Sequence, residues 1–287
     1  MNSPRPGQSE CVVLSYPDDE TCGEHADCTA DNPCVTFVIR ILLILWLRTN
    51  AQPVPWEFEV ITNNLLAGQG YYFNGYYSHA PPLYVFLCAA IYSLTNHSYF
   101  AVLLVQSAFS VLLSATIFAI AKMLFNDPIA LIAATLVAFH PGFVYYDVFN
   151  LIPLSIDAFL ISAIALSLLR FHYSPTLRKS LLIGALIGLG TLSRGIIGIL
   201  LPLVLAYLVV IRTTRLRDRM IFAACMLIAG LLVVTPWMIR NYVVHKQFVM
   251  VTSTNTENFW RGNSPYATGA SADEYNTKIL RRTPIEF

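Results

Sequence analysis

The chain has 287 residues and a formal net charge of +1; 56% of its residues are hydrophobic and 12% are charged. Soluble proteins average about 25% charged residues, so this composition excludes an ordinary soluble domain and indicates an integral membrane protein. The balanced charge gives no basis for a nucleic-acid partner, and none is expected.

Residues 1–34 form a polar segment with seven acidic residues and one arginine. It has no apolar periodicity, so it is predicted to be a disordered tail. Four of the six cysteines fall in this segment, and no pair has the two-residue gap typical of zinc knuckles. A disordered tail is therefore favoured there over a metal or disulfide site.

Apolar runs follow, and we expect an all-α polytopic bundle over residues 35–238. The first run is short and contains Arg40, which makes it the weakest span. Residues 83–94 are short and tyrosine-rich and are predicted to lie at the membrane interface. The seven predicted spans are 35–47, 100–125, 128–139, 151–169, 181–192, 196–210 and 220–234.

The distribution of lysine and arginine predicts the orientation of the bundle. The basic positions near the span ends are expected to be cytoplasmic: Lys122, Arg170, Arg178, Lys179, Arg212, Arg215, Arg217 and Arg219. With seven crossings the N-terminus lies inside. The large loop 49–99 and the C-terminal segment 239–287 are then extracytoplasmic, in a multi-pass protein of the plasma (inner) membrane.

The loop 49–99 carries the residues best suited to chemistry. Glu57 and Glu59 are candidate catalytic bases for an acceptor hydroxyl. His79 precedes Pro81 and Pro82, which suit the start of a helix; its ring could ligate a metal, or it could be an ordinary polar loop residue.

Three more charged residues lie at the predicted outer ends of spans. Asp157 is an acid inside an apolar run and is by default a functional candidate, although Ser155 or a neighbouring span could satisfy it. Arg194 is expected at the tip of a hairpin, because an arginine at mid-bilayer costs roughly 2.5 to 3.5 kcal/mol on insertion scales. Arg240 follows the last predicted span and suits a phosphate, or anchors the helix among headgroups.

Five segments in this order resemble the polytopic GT-C glycosyltransferases, with the likeness covering about residues 52–270. The segments are PWEFEVITNNLLAGQGY, HAPPLY, HPGFVYYDVFNLIPLSIDAF, GLGTLSRG and PWMIRNY with TNTENFWRGNSPYATG. Among these enzymes the sequence is most similar to the family 39-type group, related to protein O-mannosyltransferases and to the lipid A aminoarabinose transferase.

The resemblance implies transfer of a sugar from a polyprenyl-phosphate donor to an unidentified lipid, glycan or protein acceptor at the extracytoplasmic face. It assigns the base to Glu57 or Glu59, with Val54 where the family has an aspartate. It implies that His79 and Asp157 ligate a divalent metal ion. Arg194, together with Arg240, would bind the lipid phosphate. No organic cofactor is implied. Family members continue through further spans, so a C-terminally truncated form is expected.

Two other interpretations stay open at this point. The first is a non-catalytic lipid-binding or transport-like membrane protein whose acids line a polar cavity. Transporters often have paired internal repeats with broken helices, and none is apparent here, which favours the enzyme. The second is an inactive fragment of such a transferase.

Overall fold

The computed structural model describes residues 33–47, 49, 56–210, 215–254, 259 and 263. The tail predicted over residues 1–34 lies outside these residues up to position 32, as does Val54, while Pro33 and Cys34 begin the first helix. The helices are α1 (Pro33–Trp46), α2 (Glu57–Leu66), α3 (Pro82–Thr95), α4 (Tyr99–Leu124), α5 (Asp127–Ala138), α6 (Pro141–Phe149), α7 (Leu154–Tyr173), α8 (Leu177–Ser193), α9 (Leu200–Val210) and α10 (Leu216–His245). A 3₁₀ helix, Gly195–Ile199, precedes α9, and the predicted all-α class is confirmed.

Three of the described helices, α4, α7 and α10, are long and apolar enough to cross a membrane. The pair α5 and α6 would add a fourth span if its 40° bend is a break within one crossing. Shorter apolar helices include Thr36–Trp46, Pro82–Thr95 and Gly195–Leu208. The structure is thus that of a multi-pass membrane protein, and the count of seven crossings stays a prediction.

Helix α10 extends beyond the predicted last span at both ends. It contains Pro236 and continues to His245, where Lys246 adopts a left-handed conformation with φ of 55°. A proline removes one backbone hydrogen bond and commonly ends a helix, yet α10 continues beyond Pro236. Arg240 and Asn241 therefore lie within the last turns of the helix rather than after it.

The predicted outer loop is largely structured. Helix α2 packs against α3, and between them β1 (Tyr72–Phe73) pairs antiparallel with β2 (Tyr76–Tyr77). The connecting Asn74 and Gly75 have φ of 48° and 88°, the positive values that a two-residue hairpin turn requires. Helix α3 buries Tyr84, Val85, Cys88 and Tyr92, so it packs into the protein, and its place at the membrane interface stays a prediction.

An ion pair is buried among the helices. Arg40 of α1 and Asp147 of α6 lie 3.1 Å apart, with side chains 1% and 2% exposed. The Arg40 guanidinium also donates to Ser110 Oγ of α4 and to the Ala138 carbonyl at the end of α5, each at 2.9 Å. Ser155 of α7 donates to the other Asp147 oxygen. Arg40 and Asp147 together therefore join five helices.

Among the described helices, α8 and α10 form the most extensive packing contact. Glycines make the close approach possible: a Cβ at Gly184 would lie 2.2 Å from the backbone oxygen of Met226. A Cβ at Gly188 would lie 2.8 Å from Val233 Cβ. Small residues four apart are a common device for bringing membrane helices into backbone contact.

We predict that Gly184→Ala separates α8 from α10 and lowers the free energy of unfolding by about 1 to 3 kcal/mol, the usual effect of overpacking. Thermal denaturation in detergent, followed by circular dichroism, measures this. Gly195→Ala is the matched control, because its Cβ would have no neighbour closer than 3.8 Å. Equal melting temperatures for the two variants would contradict the packing argument.

Candidate functional site

Arg240, near the end of α10, is held between aromatic rings. Its guanidinium carbon lies 4.8 Å from the ring centre of Trp237, one helical turn earlier, and 5.4 Å from that of Tyr71. Nη2 donates to the Tyr71 carbonyl at 3.2 Å. Nη1 donates to Ser78 Oγ at 2.5 Å and to Asn241 Oδ1 at 3.1 Å. The side chain is therefore fixed to the hairpin region by groups that carry no charge.

A cavity of about 540 Å³ lies beside this guanidinium. Its wall combines the ends of α2, α3 and α8 with the C-terminal half of α10. The lining residues are Leu65, Gly70, Tyr71, Pro82, Leu83, Phe86, Leu192, Val233, Pro236, Trp237 and Arg240. Arg240 is the charged member of this otherwise apolar and aromatic set.

The charge of Arg240 has no acidic partner within the described part of the chain. Tyr71 does not neutralise it either: burial raises the pKa of the Tyr71 hydroxyl, although Arg240 acts to lower it. The protonated hydroxyl donates to the Ala80 carbonyl at 2.9 Å. A half-buried cation next to an apolar cavity suits a ligand with an anionic group and an apolar body.

Asp157 and Arg194, predicted for a metal site and for the lipid phosphate respectively, form an ion pair with each other. Asp157, in the first turn of α7, is 4% exposed. One carboxylate oxygen accepts from Ser193, and the other lies 2.8 Å from Arg194 Nε. Arg194 follows α8 in an extended conformation, so the predicted break at this residue is present. Its side chain is 55% exposed, but Asp157 already balances its charge.

The two glutamates predicted as bases have different surroundings. Residues two apart on a helix point about 200° apart, and only Glu59 faces inward. It accepts from Tyr92 Oη at 2.6 Å and from Asn63 Nδ2 at 3.2 Å, and lies 3.4 Å from His97 Nε2. Glu57 is half-buried. Glu59 thus anchors α2 to the end of α3, and Glu57 is the more exposed of the two.

His79 follows the hairpin, with its ring 4.7 Å from that of Phe73 and 6.3 Å from that of Tyr76. Among the described residues, no group of three His, Cys, Asp or Glu side chains could hold a metal ion. The predicted ligand Asp157 is bound to Arg194 instead. The residues as arranged do not fit a divalent-ion site, and the metal stays a prediction from the sequence.

Several partners of these residues are absent from the sequence-based prediction. Trp237 and Arg240 are three apart, a spacing that places them on one helix face, and Glu59 and Asn63 are neighbours by the same rule. These two contacts could have been found from the sequence. Ser78 and Tyr71 lie more than 160 positions before Arg240, and no local pattern connects them to it.

The sequence profile of the dolichyl-phosphate-mannose-protein mannosyltransferase family matches residues 79–239, more than half of the chain. The chain belongs to this family and is a membrane glycosyltransferase of the GT-C type, so the predicted resemblance is confirmed. The matched range contains His79, Asp157 and Arg194; Glu57 and Glu59 precede it, and Arg240 follows it directly. Comparison with curated protein sequences gives no match.

We predict that Glu59→Ala destabilises the protein by about 1 to 3 kcal/mol, because a buried hydrogen-bonding group, the Tyr92 hydroxyl, loses its acceptor. Glu57→Ala is the matched control in the same helical turn and is expected to melt close to the wild type. Thermal denaturation of both variants in the same detergent measures the difference. A larger loss for Glu57→Ala would reverse the assignment of the two glutamates.

Proposed function

We propose that this member of the mannosyltransferase family takes a sugar from a polyprenyl-phosphate donor and transfers it to an acceptor at the extracytoplasmic face of the plasma membrane. The observation that carries the proposal is Arg240: a half-buried cation with no acidic partner in the described residues, at the wall of an apolar cavity. A polyprenyl phosphate has the matching chemistry, since it joins one anionic group to a hydrocarbon chain.

The donors left on Arg240 suit a phosphate. A guanidinium has five N–H groups; two contacts use Nη1 and one uses Nη2 within the described structure. Nε–H and one N–H of Nη2 remain for a ligand. Arginine commonly holds phosphate oxygens through two such bonds, and these would strengthen as charge collects on the departing polyprenyl phosphate.

The orientation of α10 supports the outer face. The helix has 30 residues, or about 45 Å at 1.5 Å per residue. Arg215, Arg217 and Arg219 lie at its first turn, the end that the positive-inside rule assigns to the cytoplasm. Arg240 would then lie at the opposite membrane surface, on the same side as the loop with α2 and the hairpin.

Glu57 is the residue that we propose as the base. A carboxylate that accepts the acceptor's proton while the hydroxyl oxygen attacks the anomeric carbon makes that oxygen a better nucleophile. Glu59 already accepts hydrogen bonds from Tyr92 and Asn63, so its role is to hold α2, and with it Glu57, in position. The bond to the polyprenyl phosphate oxygen breaks as the new glycosidic bond forms, and Arg240 stabilises the phosphate that leaves.

The test is binding of a polyprenyl-phosphate mannose to the full chain in nanodiscs, with Arg240→Gln against wild type. We expect the substitution to weaken binding about ten- to hundredfold, because it removes charge-assisted hydrogen bonds to the phosphate. Arg217→Gln is the matched control, since it removes the same charge at the other end of the same helix. Equal binding by wild type and Arg240→Gln would overturn the assignment of the donor phosphate.

A further inference from the structure

Ser78 is fully buried and has a backbone conformation that its side chain does not favour. Its exposure is 0%, and its φ is 57°, in the left-handed region that non-glycine residues seldom adopt. Such a residue is retained where the surrounding contacts determine its position, and these positions concentrate at ligand sites. Here the surrounding contacts come from the last turns of α10.

Three side chains of α10 converge on the Ser78 hydroxyl. Its oxygen lies 2.7 Å from Asn241 Oδ1, 2.5 Å from Arg240 Nη1 and 3.0 Å from His245 Nε2. A hydroxyl has one donor and two acceptor positions, so three partners saturate it. The hydrogen bonds made by Asn241 determine which of the three groups accepts the Ser78 proton.

Asn241 is oriented by the chain segment that follows α10. Its Nδ2 donates to the carbonyls of Val249 and Val251, each at 3.1 Å, which turns Oδ1 toward Ser78 as an acceptor. The Ser78 proton therefore goes to Asn241. Both lone pairs of the oxygen then face donors, the Arg240 guanidinium and an Nε2–H of His245.

We propose that Ser78 is the positioning residue of the donor-phosphate site: its hydroxyl, oriented by Asn241, holds the Arg240 guanidinium at the cavity wall. The proposal rests on the proposed function, because the ligand it concerns is the donor phosphate. Ser78 is suited to this role because it accepts from Arg240 without neutralising it. A carboxylate at the same place would balance the charge, as Asp157 does for Arg194.

Positioning of the Arg240 guanidinium by Ser78 is a different role from attachment of the hairpin to the segment that follows α10. Ser253 also binds this segment, through a hydrogen bond from its hydroxyl to the Tyr77 carbonyl at 2.8 Å, and it is exposed. Within the described structure, the Ser253 hydroxyl bonds to the backbone carbonyls of Tyr77 and Ser78 and not to Arg240. Ser253→Ala is therefore the matched control for a loss of fastening that leaves the guanidinium in place.

The experiment compares two probes on the full chain in nanodiscs: a polyprenyl phosphate and the neutral polyprenol of the same length. The ratio of their affinities reports the phosphate contact alone. Ser78→Gly removes the hydroxyl without adding atoms and tolerates the positive φ. We expect it to reduce the preference for the phosphate about tenfold and to leave polyprenol binding unchanged; Ser78→Ala should behave alike, and Ser253→Ala like the wild type.

The outcomes separate the two proposals. A wild-type protein that does not prefer the phosphate overturns the proposed donor site itself. A wild type that prefers the phosphate, with the preference intact in Ser78→Gly and Ser78→Ala, overturns only the role of Ser78. Loss of polyprenol binding in both variants would show that the hydroxyl supports the fold rather than the charge, and equal loss in Ser253→Ala would assign the effect to the hairpin; either result rejects the inference.

Discussion

Neutralisation of charge in an apolar interior is the constraint on which this structure depends. Arg40 and Asp147 have almost no exposed side-chain surface, and neither would be stable there alone. Removing one partner of such a buried pair typically costs about 3 to 5 kcal/mol, because an uncompensated charge remains. The pair and its hydroxyl and carbonyl partners join α1, α4, α5, α6 and α7, so the same contacts that satisfy the charge also fix how these helices meet.

Arg240 is the contrasting case, and the contrast carries the functional argument. Its partners are a hydroxyl, an amide, a carbonyl and two aromatic rings, which orient the guanidinium and leave its charge available. Arg194 stands between the two extremes, since Asp157 balances it while more than half of its side chain is exposed. Arg40 thus has a buried acidic partner, and the largely exposed Arg194 also has an acidic partner. Arg240 has no acidic partner among the described residues.

The hydrophobic runs predicted the helical class, the approximate position of α4, α5, α7 and α10, and the break at Arg194, because these follow from composition along the chain. The sequence could not separate Glu57 from Glu59: both acids stand in one turn, and which one faces inward depends on how α2 packs on α3. Arg40 and Asp147 are 107 positions apart, so their pairing is a property of the tertiary structure that no local spacing reveals.

Two other features do have a local signal in the sequence. Asn74 and Gly75 form the dipeptide that a tight hairpin favours, and Gly184 and Gly188 have the four-residue spacing of closely packed membrane helices. The last predicted span ends at residue 234, yet α10 continues through Pro236 to His245, and Trp237 Nε1 donates to the Val251 carbonyl at 2.8 Å. The extra turns bring Arg240 beside the cavity, which is the feature with most consequence for function.

The most direct measurement of the central claim is the position of the donor in the protein. A polyprenyl-phosphate mannose with a photoreactive group next to the phosphate, irradiated in nanodiscs and mapped by mass spectrometry, identifies the residues that surround it. We expect labels on the cavity wall around Tyr71, Phe86 and Trp237, which excess unlabelled polyprenyl phosphate removes. Labels confined to the Arg217 end of α10, or labels that the competitor leaves in place, would contradict it.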